Sequence, residues 1–198
     1  MIRMIGRAVP LSAAILLIAG CGTTGKVIKP NNSGYLATDS HGAVEQAKTD
    51  TAEKINLADY KSFALVTTGD SAFKQIKELG IFSEVLDIKD LQARIIEKNL
   101  QDKVPSLAAN DRIGISNAGR NYQKFLWIHF DIEKRDDKKF VKLIATEAAS
   151  SKDVFVAERE INTGVMALAY GIGAPNDQNM WYPLFNSLVA WLKSNSVA

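Results

Sequence analysis

The chain has 198 residues, with 24 Lys+Arg against 22 Asp+Glu, two histidines and one cysteine. Near-balanced charge removes any global electrostatic reason to bind nucleic acid, and a single cysteine excludes an internal disulfide. The length allows one well-cored domain plus a tether, with stability supplied by the core.

Arg3 and Arg7 give the start of the chain positive charge, and Ala8 to Ala19 is uncharged with one hydroxyl, Ser12. That run has the length of a secretory leader and falls short of the ~20 apolar residues of a spanning helix. It ends in Ile18-Ala19-Gly20-Cys21, which resembles the bacterial lipobox. The resemblance implies cleavage between Gly20 and Cys21, diacylglyceryl transfer to the Cys21 thiol, and acylation of the new amino group. Two or more acyl chains anchor a protein stably, where one binds marginally. Gly22, in place of an Asp, points to the outer membrane under enteric-type sorting. Residues 1–20 are therefore expected to leave as a signal peptide, and the 178 that remain carry 22 charges of each sign.

Residues 21–57 are expected to be the lipidated cysteine and a flexible tether. Gly22-Thr23-Thr24-Gly25-Lys26 lacks the spacing of a phosphate loop and no strand precedes it. Pro30-Asn31-Asn32-Ser33-Gly34 is a turn cluster, and residues 38–56 are polar with scattered alanine. A soft linker of about 35 residues has an rms reach of ~30–35 Å.

Residues 58–198 are expected to form a single α/β domain. Ser62 to Thr68 reads as a first strand, bounded by Gly69-Asp70. Asp70 or Ser71 can cap a helix to Leu79, with Phe73, Ile76 and Leu79 on one face and Gly80 after its end. Phe82 to Ile88 reads as a second strand. Asp87 or Asp90 caps a second helix bearing Leu91, Ile95, Ile96 and Leu100, which must end before Pro105. Asn110 to Tyr122 suits a weak helix, because Gly114 and Gly119 each cost up to ~1 kcal/mol relative to alanine.

Phe125 to Arg135 is the clearest strand. Leu126, Ile128, Phe130 and Ile132 fall on one face; Phe125, Trp127, His129, Asp131 and Glu133 fall on the other. This pattern suits a sheet with one face under helices and the other partly covered. Turns at 135–138, 150–153 and 162–164 link it to strands over 140–148, 154–161 and 165–170, an antiparallel meander. A helix over 179–194 closes the chain, with Trp181, Leu184, Phe185, Leu188, Val189 and Leu192 as its apolar stripe. The predicted class is α/β (α+β): two strand–helix units, a meander, and a C-terminal helix on the sheet.

This element order resembles a recurrent envelope domain. It carries a Phe63-Ala64-Leu65-Val66 first strand, Phe82-Ser83-Glu84-Val85-Leu86 before the second helix, and Asn162-Thr163-Gly164 in the meander. The layout is similar to the curli-secretion lipoprotein family, the N-terminal domain of the Tol-system translocation protein, and lipoprotein activators of penicillin-binding proteins. The resemblance implies an envelope accessory lipoprotein and carries over no functional residues. The membrane-inserting hairpins of a secretion pore are missing, because no alternating segment has a sufficiently apolar outward face.

Candidate chemistry is sparse. His129, Asp131 and Glu133 share a strand face but spread over ~13 Å, too wide for one ion. Ser116 in Gly114-Ile115-Ser116-Asn117-Ala118-Gly119 does not fit a nucleophile elbow. Paired carboxylates among Asp131, Glu133, Glu147, Glu158 and Glu160 could serve a glycosidase if ~5–9.5 Å apart in a cleft. Tyr182, with Trp181 beside it, is the candidate interface at the last helix. The reading is a non-enzymatic lipoprotein, with no catalytic residues, metal or cofactor, held on the outer membrane with its domain in the periplasm and binding an envelope protein. The alternatives are a carboxylate-dependent glycan hydrolase and a small-ligand carrier using the face around Phe125 and Trp127.

Overall fold

The computed structural model describes residues 27–161 and 180–195. Among them are strands β1 (Lys48–Ala52), β2 (Ala64–Val66), β3 (Val85–Leu86), β4 (Leu126–Arg135), β5 (Lys138–Glu147) and β6 (Lys152–Ile161). The helices are α1 (Gly69–Glu78), α2 (Ile88–Glu97), α3 (Arg112–Asn121) and α4 (Tyr182–Ser194). Gly20 and Cys21, the arm before residue 27, the turn at 162–164 and the strand expected over 165–170 lie outside the described residues. So does the expected first residue of the last helix, Asn179.

The strands form one mixed sheet in the order β1-β6-β5-β4-β2-β3. β2 is parallel to both β3 and β4, while β4, β5, β6 and β1 are antiparallel in succession. The chain steps outward from β2 to β3, then back across β2 to β4. Right-handed crossovers in opposite directions put their helices on opposite faces. One core accordingly holds Ile76 of α1 and the inner side of α4 against Leu126, Ile128, Val141 and Leu143. The other holds Leu91 and Ile95 of α2 and Ile115 and Ala118 of α3 against Phe125 and Trp127. The α/β class, both strand–helix units, the meander and the C-terminal helix on the sheet are all present.

Local signals explain most boundaries. Asp87 and Asp90 form a capping box at α2, satisfying two otherwise unpaired donors. α2 ends at Glu97, and Asn99 turns the chain with φ +53. Leu100 therefore lies beyond the helix, and Ile96 is exposed. α1 starts at Gly69 (φ +56), earlier than Asp70 or Ser71 would place it.

From residue 27 onward, the expected tether is instead part of the domain. Residues 27–55 form a strap over α1 and α4 that ends as the edge strand β1. Leu36 is fully buried. Asn186 of α4, itself 0 % exposed, accepts from Leu36 N–H (2.7 Å) and donates to Leu36 O and Glu45 O (2.9 Å each). Ser187 Oγ donates to Ala47 O (3.0 Å), Trp191 Nε1 to Glu53 O (2.8 Å), and Ile55 N–H to Asn195 Oδ1 (2.8 Å). The physical reason is that the strap's backbone groups are met by side chains of the helix beneath, so it needs no apolar periodicity of its own.

Candidate interaction face

α2 and α3 cover β2, β3 and the first residues of β4. The rest of that sheet face, on β4, β5, β6 and β1, has no helix above it among the described residues. The register places His129 beside Ile144, Asp131 beside Lys142, and Glu133 beside Phe140. Lys142 lies beside Glu158, and Lys48 beside Glu158 on the far side. This side of the sheet thus carries Ile144, which is buried, and Val156, half-buried, with charged side chains around them.

The charges are arranged as a chain of opposite signs. Glu158 is 4 % exposed and takes Arg135 Nη1 at 3.1 Å, Arg135 Nη2, and Lys48 Nζ at 3.0 Å. Arg135 also meets Glu133 (3.0 Å) and stands 4.3 Å from the centre of the Phe140 ring. Glu133 in turn meets Lys142, and Lys138 meets Glu160 at 2.9 Å. Asp50, the extra residue at the β1 bulge, lies 2.8 Å from Lys48. Hydrogen bonds from Arg135, supported by Lys48, hold Glu158 down at about 2, and Arg135 with Lys142 does the same to Glu133.

These carboxylates bear on the hydrolase alternative. A glycosidase general acid needs a carboxyl pushed up toward neutrality. Here Glu133, Glu147 and Glu158 are all pushed down. Glu158 and Glu160 each hold a cation on an open sheet face. Glu147 lies elsewhere, accepting from Ser150 Oγ (2.6 Å) and from Tyr60 Oη.

The depressed carboxylates set an acid limb of stability. A group whose folded pKa lies below its ordinary 4.5 stabilises the fold above that value and loses this as pH falls toward the folded pKa. Exposure of Lys48 and part of Arg135 to solvent screens the gain to about 1–2 kcal/mol. Glu158→Gln is expected to be less stable than the wild type near neutrality, with the gap closing as pH drops to about 2. Urea unfolding across that range checks it; a gap that stays constant would refute the assignment.

Next to the covered part of the sheet lies a polar network. A bulge between Asp153 and Phe155 turns Val154 into the first core and Asp153 toward Thr146. Bulges re-aim side chains in this way. Thr146 Oγ1 donates to Asp153 Oδ1 (2.6 Å), so its 3.2 Å contact with His129 requires His129 Nε2–H to donate. Arg112 of α3 reaches Asp153 Oδ1 at 3.0 Å and Ser151 O at 2.8 Å. Trp127 stacks on His129 at 4.0 Å, and its Nε1–H donates to Thr67 Oγ1 (2.9 Å), tying β4 to β2.

Asp131, on the same strand face as His129, is exposed and accepts its neighbour's Ile132 N–H at 2.8 Å. No group of three or more metal-type side chains occurs among the described residues. Burial lowers the His129 pKa, keeping the ring neutral. A depressed imidazole gives stability that is complete above its unfolded value and is lost as pH falls below it. Wild type is therefore expected to weaken from about pH 7 to 5. His129→Gln, which keeps a donor toward Thr146, should lose this slope; an unchanged slope would show that another group titrates.

The interface expectation at the last helix is reversed. Tyr182 is 3 % exposed, while Trp181 is half-buried and packs on Phe130 with ring centres 4.9 Å apart. α4 is covered on both sides, by the sheet and by the strap, so a residue off the apolar stripe is buried as well. Phe125 and Trp127 are also buried, under α2 and α3, so the half-covered apolar face that a ligand carrier would use there is absent. The open face begins two residues further along β4. Ser116 is buried and donates to Ala149 O at 3.2 Å, a structural contact.

The geometry defines a class: an α/β domain whose mixed sheet, among the described residues, has helices over one face and over part of the other. Comparison of the chain with protein-family models, curated proteins and solved structures finds no match in any of the three. No described helix is long and apolar enough to cross a membrane.

Proposed function

We propose that this chain is a lipid-anchored accessory protein of a bacterial envelope, held on the outer membrane through Cys21 and binding an envelope protein by its open sheet face. The observation that carries the reading is the leader ending in Ile18-Ala19-Gly20-Cys21, with the only cysteine of the chain at its last position. Behind it the chain continues into a domain with ion pairs on the half of the sheet face that has no helix above it among the described residues. Such mixed-sign charge gives orientation and partner selection more than raw affinity. It suits a protein surface better than a polyanion, because Lys48, Arg135, Lys138 and Lys142 are each already paired with a carboxylate.

The test has two parts. Mass spectrometry of the mature N-terminal peptide should find a triacylated Cys21, and Cys21→Ser should release the protein from membranes. A photo-crosslinker at Lys142 or Glu160 should then give a discrete protein adduct in intact envelopes, where one at Lys89 on α2 gives none. An unmodified Cys21, or adducts equally abundant from Lys89, would sink the reading.

A further inference from the structure

Among the described residues, the strap's earliest hydrogen bonds with the domain are made at Ile28. The Ile28 N–H donates to Gln75 Oε1 (3.0 Å), and Gln75 Nε2 donates to Ile28 O (2.9 Å). Gln75, on α1, is 2 % exposed, so this pair of bonds lies under cover. The strap then crosses α4. Asn31 Oδ1 accepts from Ser33 and Tyr35 N–H in a tight turn, and Lys193 of α4 meets Ser33 O and stands 4.3 Å from the Tyr35 ring centre.

Six residues, 22–27, therefore lie between Cys21 and Ile28, a path of seven residue steps. Extended fully, those seven steps span at most about 25 Å. A domain of about 150 residues has a radius of gyration near 15 Å and so measures roughly 40 Å across. A tether shorter than the domain is wide keeps the side it leaves from nearest to the surface holding its end. It also leaves from one side only, the α1 side. Exposed there are Lys29, Lys74 and Lys77, with Asp70 and Glu78 as the acidic groups of α1.

We infer that the α1 and strap face of this domain is held against the lipid headgroup layer, with α2, α3 and the open sheet face turned toward the aqueous side. The occupant of the α1 face is the bilayer that receives the acyl chains of Cys21, so the inference rests on the anchoring proposed above. It also explains how a partner face stays accessible on a closely tethered protein. The charged sheet half lies on the side of the sheet opposite to α1.

The experiment uses full-length lipidated protein in phosphatidylethanolamine/phosphatidylglycerol vesicles carrying a headgroup energy acceptor. A donor dye is placed at Lys74→Cys on α1 or at Ile113→Cys on α3, where the side chain is 76 % exposed. The lipid blocks the Cys21 thiol, so each variant has one reactive thiol. Energy transfer should be several-fold stronger from position 74 than from 113. Equal transfer, or stronger transfer from 113, overturns the orientation. Inserting about 30 Gly/Ser residues after Thr24 should erase the difference by lengthening the reach. A difference that survives would overturn the tether as its cause. The mass of the N-terminal peptide separates the two failures: triacylated Cys21 with equal transfer removes only the orientation, while unmodified Cys21 removes the anchor and the orientation with it.

Discussion

Asn186→Leu is expected to free the strap and to cost about 3–5 kcal/mol of stability. Asn186 makes three hydrogen bonds to strap backbone, to Leu36 N–H, Leu36 O and Glu45 O, at a position with no solvent exposure. Leucine keeps the approximate volume but leaves two acceptors and one donor unmet. Each buried orphan costs about 1–3 kcal/mol. The strap can relieve that cost by lifting into water, which gives up the burial of Leu36. Chymotrypsin should then cut at Tyr35 much faster than in the wild type, and the urea midpoint should fall. Asn186→Asp keeps the acceptor for Leu36 N–H and loses both donors, so it should be at least as damaging. Wild-type protection of Tyr35 in the leucine variant would show that Asn186 does not hold the strap.

Gly119→Ala is expected to destabilise by about 2–4 kcal/mol, although alanine is the better helix former by ~1 kcal/mol. A Cβ at Gly119 would lie 2.6 Å from Ala149 N and 2.8 Å from both Ala148 C and Ala148 Cβ. Most of these are backbone atoms that cannot turn aside. α3 would have to move off the β5–β6 turn, breaking Arg120 Nε–H to Ala149 O (2.8 Å) and Ser116 Oγ–H to the same oxygen (3.2 Å). Trp127 packs beneath α3, so its near-UV circular dichroism should weaken along with the loss of melting temperature. Gly80→Ala is the control: its φ is +65 and the space around it is open, so only local strain of about 1 kcal/mol is expected. A Gly119 variant no worse than the Gly80 variant would refute the close approach.

The two glycines of α3 show one limit of reading the chain alone. By propensity they mark a weak helix. In the fold, Gly119 lets α3 approach the 148–149 backbone, and a Cβ at Gly114 would lie 2.3 Å from Ser106 O. Propensity measures an isolated helix, whereas close approach belongs to two segments at once. The candidate site was partly visible in the same way. Alternation along Phe125 to Arg135 located both faces and the acidic end of one. It could not pair Glu158 with Arg135, because that contact spans 23 residues and depends on the register of β4, β5 and β6.

The sequence by itself determined the elements whose signals are local. Period-two alternation marked β4, capping residues marked α2, an apolar stripe marked α4, and together they defined an α/β domain with a half-open sheet. The residues that resemble a leader and lipobox also stand in the sequence alone. Only the tertiary structure decided that residues 27–55 are a strap and an edge strand, and hence that α4 is covered on both sides and Tyr182 is buried. The physical reason is that the strap adheres through its backbone. Gln75, Asn186, Ser187, Trp191 and Asn195 bond to its N–H and C=O groups, and those groups are the same in every residue, so the strap's own side chains carry no pattern that reveals it.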